Sequence, residues 1–337
     1  MKPIWKFVCC AAALALALWG LGLSEVLNGY IMRIASLALI NIILAASLNL
    51  INGMTGQFSL GHMGFAAIGA YVAGTFTTVL TRLSPHAPLD YALFLGATIV
   101  GGLAAAFVGI LIGFPSLRLR GDYLAIVTLG FGEIIKTALN NIDAVGGPRG
   151  LTGIPAMSGV RGSGAMGFLI TFAAATLTIL AIRNLAGSTH GRALLSIREN
   201  ELAAELCGVD TTRFKVTAFA IGAFFAGIAG SLLAHLNSIA HPTQYGFMGS
   251  VMVLIMVYVG GMGSITGSII AAFGLTVLSE VLKAFIALLG DDFGLPIGQE
   301  WVMVLYALML VLVMLFRNEG IMGNREMKWL RHEEEGL

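Results

Sequence analysis

Apolar residues run in long blocks along this chain, separated by short polar or glycine-rich interruptions. A continuous apolar stretch of roughly 18 residues is long enough to cross the hydrocarbon core of a bilayer as a helix. On that criterion spans are predicted at about 7–23, 30–50, 58–80, 90–113, 122–140, 166–183, 214–236, 247–260, 264–288 and 300–316, ten in all. The stretch at 247–260 is short for a crossing and reads as tilted, broken or re-entrant. The pattern predicts an all-α polytopic membrane protein of about ten transmembrane helices, with residues 1–337 forming one membrane domain.

The longest charged interruption is Ser188–Lys215, STHGRALLSIRENELAAELCGVDTTRFK. Its core reads as one helix with two faces. Leu195, Leu202 and Leu206 fall on one, and Arg198, Glu201 and Glu205 on the other, at i,i+3 and i,i+4 steps. Gly208 is placed to stop that helix, and Asp210-Thr211-Thr212 to cap the next. Two readings stand side by side: a docking surface for a soluble partner, or an interfacial helix that only connects two spans.

Composition sharpens the class. Charged residues make up 11% of the chain and the mean hydropathy is +0.89, against about 25% charged in a typical soluble domain. No segment is long and polar enough to fold as a separate soluble domain, and the surroundings implied are membrane lipid, not nucleic acid. The position of the charges matters more than their sum. With a cytoplasmic N-terminus, 13 of the 19 lysines and arginines fall in segments on the cytoplasmic side, as the positive-inside tendency requires. An even number of spans then places both termini, the tail at 317–337 and the stretch 188–215 in the cytoplasm. Cys9, Cys10 and Cys207 have no metal spacing and read as free thiols. Lys2 and Lys6 before an apolar run resemble a signal peptide, but the run Phe7–Leu23 is long and lacks a small-residue cleavage site, so an uncleaved first span is expected.

Small residues recur at helix spacing. Gly101, Ala105, Gly109 and Gly113 form one stripe; Ala66, Ala70 and Gly74 a second; Gly222, Ala226, Gly230 and Ala234 a third. In lipid such stripes mark close helix contacts. Two glycine-rich breaks, Asn52–Ala70 and Gly260–Gly274, resemble each other and hint at a pseudo-repeat of two halves, each break at a cytoplasmic end. A third glycine- and proline-rich stretch, Asn141–Ala165, is the largest predicted external loop: a landing surface for a substrate-delivering protein, or simply an ordered loop.

Candidate chemistry is sparse. There is no HExxH, CxxC pair or GxSxG, and no lysine directly follows a glycine, so a phosphate-binding P-loop is missing. No catalytic residue, metal ligand or bound cofactor is expected. If transport is active, its energy comes from a partner or from an ion gradient. Glu133 lies near the middle of its span with Lys136 one turn on, and is either a pathway residue or half of a structural ion pair. Asn49, Asn52, Gln57 and His62 cluster at the first break, where they satisfy unwound backbone or line a path; Gln57, Ser59, His62 and Glu133 are the candidate pathway residues.

Five stretches carry a family resemblance: GQFSLGHMGFAAIGAYVAG, LRLRGDYLAIVTLGFGEI, GGPRGLTGIP, GRALLSIRENELAAELCGVDTTRFKVTAFAIGAFFAGIAGSLLAH and FRNEGIMG. In order, over about residues 45–323, the chain resembles the larger permease subunit of Liv-type branched-chain amino-acid ABC importers. The resemblance implies a bacterial inner-membrane permease working by alternating access. It implies a second permease subunit, two cytoplasmic ATPase subunits that use ATP and Mg, and a periplasmic binding protein. Close relatives carry urea, amides or other amino acids, so those substrates stay open, as does an ion-coupled secondary transporter. It also implies that 188–215 couples the permease to the ATPases through Arg192, Arg198, Glu201, Ala203, Ala204, Glu205 and Gly208. The Glu-Ala-Ala-three-residues-Gly motif is matched by Ala203, Ala204 and Gly208, but Leu202 stands where the glutamate belongs, and Glu201 comes one residue early.

Overall fold

The computed structural model describes residues 29–83, 91–116, 121–157 and 164–293, together with Val304, Leu308, Val311, Leu315, 320–323 and Glu326. The predicted first span at 7–23 lies outside the described residues, and the one at 300–316 is represented by four helical positions. The described helices are α1 (Gly29–Asn49), α2 (His62–Leu83), α3 (Tyr91–Ser116), α4 (Asp122–Asn141), α5 (Gly164–Ala186), α6 (Thr189–Glu199), α7 (Glu201–Leu206), α8 (Thr211–Asn237), α9 (Phe247–Gly260) and α10 (Ile265–Phe293). Six of these elements, α1, α2, α3, α5, α8 and α10, are long and apolar enough to cross a membrane. The predicted spans at 122–140 and 247–260 are helical as α4 and α9, but do not meet that measure; α9 has only 14 residues.

The centre of the bundle is a three-helix seam of α2, α3 and α8. The small-residue stripes meet there. A Cβ on Gly230 would overlap the Ala66 carbonyl, one on Gly69 the backbone of Gly227, and one on Gly101 would lie 2.7 Å from the Gly69 oxygen. Gly109 stands against Ala223 and Gly227 against Ala105 in the same way. Apolar burial gives little drive for helix association in lipid, so close backbone approach and dispersion hold this seam. Polar pairs lock it: Ser231 donates to Thr98 (3.1 Å), His235 pairs with Thr77 (3.1 Å), and the His235 ring meets Phe94 edge-on at 4.8 Å. Outside the seam, α1 packs on α5, α8 and α10, with Asn41 donating to Thr276 at 2.8 Å.

The described part of the glycine-rich stretch after α4, residues 142–157, is built from short turns and a strand. Two 3-10 turns, Asp143–Val145 and Gly147–Arg149, lead into a strand β1 (Leu151–Thr152) paired antiparallel with β2 (Ile239–Ala240) after α8. The register is Leu151 with Ala240 and Thr152 with Ile239. Leu151 and Ile154 are buried, and Gly74 of α2 packs against both. This two-residue pairing is the exception, among the described residues, to the all-α expectation.

Candidate functional site

The stretch 188–215 folds as two short helices instead of the single one expected. Asn200 is the cause: it leaves helical geometry at φ −157°, ψ 107°, and its Oδ1 accepts from Ala203 N at 3.1 Å, capping α7. Ser188 caps α6 through Gly191 N, and Asp210 caps α8 through Arg213 N at 3.1 Å. Gly208 ends α7 at φ +84°, a conformation costly for residues with a Cβ.

The pair has a buried face and an uncovered one. Leu194, Ile197 and Ala204 are buried. Leu195, Leu202 and Leu206, the face read from the spacing as apolar, point away from the protein, and Leu206 is 90% exposed. The carboxylates assigned to the opposite face are engaged within the chain. Glu201 pairs with the buried Lys215 Nζ at 2.6 Å, and Glu205 Oε1 accepts from Thr211 Oγ1 at 2.9 Å. Both fasten α7 to the first turn of α8. The sequence does carry a signal for Lys215: a lysine one residue inside a predicted span needs a partner, and that cost finds it. Arg192 and Ala203 are exposed.

The first break begins as a widened helix end. After α1 the backbone widens into a π-helical turn, Leu50–Met54, and residues 55–61 then follow no helix before α2 begins at His62. This segment runs antiparallel to α9. Gly53 lies against Gly263, the Phe58 ring meets Tyr258 edge-on at 6.2 Å, and Met63 N donates to Ser250 Oγ at 3.3 Å. Its backbone is satisfied by side chains: Ser59 N donates to Asn52 Oδ1 (3.2 Å) and Leu60 N to Thr128 Oγ1 (3.1 Å). Unwound backbone in a membrane-spanning bundle is tolerated when it is paired this way or lines a path. His62 Nε2 pairs with Ser47 Oγ at 2.8 Å. Five polar atoms in this short stretch are buried without a hydrogen-bond partner among the described residues: Asn52 Nδ2, Gln57 Nε2 and Oε1, Ser59 Oγ and His62 Nδ1. Such a concentration is unusual, because buried polar groups are almost always paired.

The second break, residues 261–264, meets the first. Asn49 Oδ1 accepts from Gly263 N (2.8 Å) and Asn49 Nδ2 donates to Ser264 O (3.0 Å). The C-terminal stretch closes over it: Ile321 N donates to Val259 O (2.8 Å), Met322 N to Gly260 O (3.1 Å), and Glu326 accepts from the first backbone amides of α10. Both breaks and α6–α7 lie at one end of the bundle, since Arg198 Nη1 donates to Gly53 O at 2.8 Å.

Glu133 is held elsewhere. Its Oε2 accepts from Lys136 Nζ at 2.9 Å, and its Oε1 from Phe247 N at 2.8 Å, the first residue of α9. A carboxylate there complements the positive end of the α9 dipole. Of the four candidate pathway residues, the structure gathers Gln57, Ser59 and His62 in one break and gives the Glu133 carboxylate to an ion pair and a helix cap. Among the described residues no group of histidine, cysteine or acidic side chains is placed to hold a metal ion.

Comparison with known proteins agrees with this architecture. The sequence is 36% identical over 316 residues to the high-affinity branched-chain amino acid transport system permease protein LivM of Escherichia coli K12, covering 86% of this chain and 69% of that protein. It is 25% identical over 290 residues to a probable LivM permease of Methanocaldococcus jannaschii, covering 82% and 81%. It is also 30% identical over 161 residues to the LivH permease of Salmonella typhimurium, covering 48% of this chain and 47% of that protein. No solved structure matches. Residues 30–314 match the family described as branched-chain amino acid transport system / permease component. With its closely packed apolar helices, its paired breaks and this match across nearly the whole described bundle, the chain belongs to that permease family.

Proposed function

We propose that this chain is the membrane-spanning permease subunit of an importer for branched-chain amino acids (leucine, isoleucine and valine), driven by ATP hydrolysis in separate partner subunits. The observation that carries the coupling half of this reading is the uncovered leucine face of α6–α7. Three leucines on two capped helices outside the candidate spans have no reason to remain exposed unless something covers them. The substrate class rests on what the relatives' names say they transport.

In this reading the chain is one permease domain of about ten spans, multi-pass in the inner membrane, with both termini and the tail at 317–337 in the cytoplasm. A second permease subunit stands beside it, two ATPase subunits dock below, and a periplasmic binding protein delivers substrate, with 141–165 as its landing surface. The segment 188–215 is the coupling element. Alternating access opens the bundle at either end, and the break carrying Asn52, Gln57, Ser59 and His62 lines the path. Its unpaired neutral donors and acceptors suit a zwitterion. The chain itself binds no cofactor, and ATP and Mg belong to the partners. Ion-coupled transport finds less support, because the Glu133 carboxylate that it would use as a proton site is already held by Lys136 and Phe247 N.

The test is the leucine face. Burying one leucine is worth about 1.5–3 kcal/mol, so Leu206→Glu is expected to weaken ATPase association by roughly tenfold or more. Co-purification of the ATPase subunits with the solubilised permease reads this directly; undiminished association would sink the docking role. Uptake of radiolabelled leucine, challenged by excess valine, urea or an aliphatic amide, decides the substrate. Competition by urea or the amide alone would move the substrate to that class.

A further inference from the structure

Arg198 sits in the last turn of α6, yet its guanidinium turns inward, away from the exposed leucines. Nη1 donates to the carbonyl of Gly53 at 2.8 Å, across 145 residues of sequence. Gly53 lies within the π-helical turn that ends α1, where the widened helix leaves carbonyls in need of donors. The aliphatic stem of Arg198 lies over Gly56, which has φ +69°; a Cβ there would be 3.2 Å from Arg198 Cγ and 3.4 Å from its Cα. The neighbouring carboxylate of Glu199 is 3.9 Å from Nε and largely exposed, so it competes weakly with the Gly53 carbonyl.

Gly53 in turn cannot move alone. A Cβ on it would overlap Asn49 Oδ1 and the Gly263 backbone, and Asn49 ties that same point to Gly263 N and Ser264 O. From Gly53 the chain continues directly into 55–61, the segment that carries Gln57 and Ser59. One hydrogen bond therefore joins the coupling helix to a close-packed knot where both helix breaks meet. Packed elements of this kind shift between discrete arrangements and do not stretch.

We propose that Arg198 is a positioning residue that carries displacement of the α6–α7 pair into the first helix break through the Gly53 carbonyl. The proposal rests on the reading of α6–α7 as the ATPase-docking element. It divides the labour within that element: the leucines face outward to the partner, and Arg198 faces inward to the path. A partner that pushes on α6–α7 moves 53–61 only while this bond holds. Without it the ATPase cycle runs and the break stays behind.

The test uses the whole complex in proteoliposomes, with permease pair, ATPase subunits and binding protein, and compares Arg198→Met, which keeps the stem and loses the donors, with Arg198→Lys, which keeps one donor. For Arg198→Met the expected result is normal ATPase co-purification and a roughly tenfold rise in ATP hydrolysed per leucine imported, with at least partial rescue by Arg198→Lys. A second readout places Ser59→Cys in a chain whose Cys9, Cys10 and Cys207 are replaced by serine. Labelling at position 59 by a small maleimide is expected to change with the nucleotide state of the ATPase when Arg198 is present, and to lose that dependence with Arg198→Met. A ratio within twofold of the parent, or labelling at 59 indifferent to nucleotide with Arg198 intact, overturns the proposal. So does a fall in the membrane level of Arg198→Met that matches its fall in uptake, since the residue would then only hold the fold together. The Leu206→Glu variant separates the two ideas. If it keeps its ATPase, the docking reading falls and this proposal with it; if it loses the ATPase while Arg198→Met leaves the ratio unchanged, this proposal falls alone.

Discussion

Gly230→Val is expected to remove most of the folded chain from the membrane. Gly230 of α8 faces the Ala66 backbone of α2 so closely that a Cβ would be 2.5 Å from the Ala66 carbonyl carbon and 2.7 Å from its Cα. No rotamer relieves this, because the neighbour is backbone. The helices must separate, and the neighbouring contacts of Gly69 with Gly227 and of Gly227 with Ala105 loosen with them. In water a new methyl group would be partly compensated by apolar burial; in lipid that compensation is nearly missing, so lost packing dominates. Overpacking costs about 1–3 kcal/mol in tolerant sites, and a seam with no room to relax belongs at or above the upper end. A fall of at least roughly tenfold in the monodisperse protein recovered in detergent is the expected measurement. Gly274→Ala is the control, since among the described residues nothing lies within 4 Å of a Cβ there; it is expected to leave recovery unchanged. Equal recovery of both variants would show that the seam does not hold the bundle.

The second large effect is expected from Glu201→Lys. Lys215 is buried in the first turns of α8, and its Nζ reaches the Glu201 carboxylate at 2.6 Å. Removing one member of a buried ion pair costs about 3–5 kcal/mol because the remaining charge is stranded. Glu201 keeps some solvent contact, which lowers that figure, but reversing its charge adds repulsion. The strain falls on the junction of α7 with α8, not on the seam, so the chain stays in the membrane while α7 leaves its position. Leucine uptake is expected to drop at least tenfold with near-normal chain levels, and combining Glu201→Lys with Lys215→Glu is expected to recover part of it. Gly208→Pro should act at the same junction, because proline cannot adopt φ +84°. Full uptake by either variant would mean that α7 transmits nothing.

These two sites differ in how far the sequence foretold them. The stripes were legible because helix spacing is local and lipid leaves small residues one main use; Ala66, Gly101, Ala105, Gly109 and Gly230 all lie in the seam. Yet Gly69 and Gly227, whose backbones also approach closely, fall outside the stripes, because a stripe's spacing does not say which of its edges faces the neighbour. The stretch 188–215 was legible as charged, helical and capped at Asp210, with Gly208 as its stop. Its division at Asn200 is signalled only by an Asn before Glu201, a helix-start residue that sits inside an otherwise continuous helical pattern.

From sequence alone come the membrane class, most helix positions, the close packing, the missing ATP-binding loop and the cytoplasmic placement expected for 188–215, since each follows from composition, period or charge within a short window. Only the tertiary structure decided that the leucine face of α6–α7 is the uncovered one. Leu194 and Leu195 are adjacent and equally apolar, and it is the course of the flanking helices that buries one and leaves the other exposed. Only the tertiary structure paired Glu201 with Lys215 and Glu205 with Thr211, gave Glu133 to the α9 terminus, folded residues 55–61 back along α9, and brought Arg198 to Gly53. Each of these depends on a partner far away in the chain, and local pattern carries no information about which distant backbone group will stand within 3 Å.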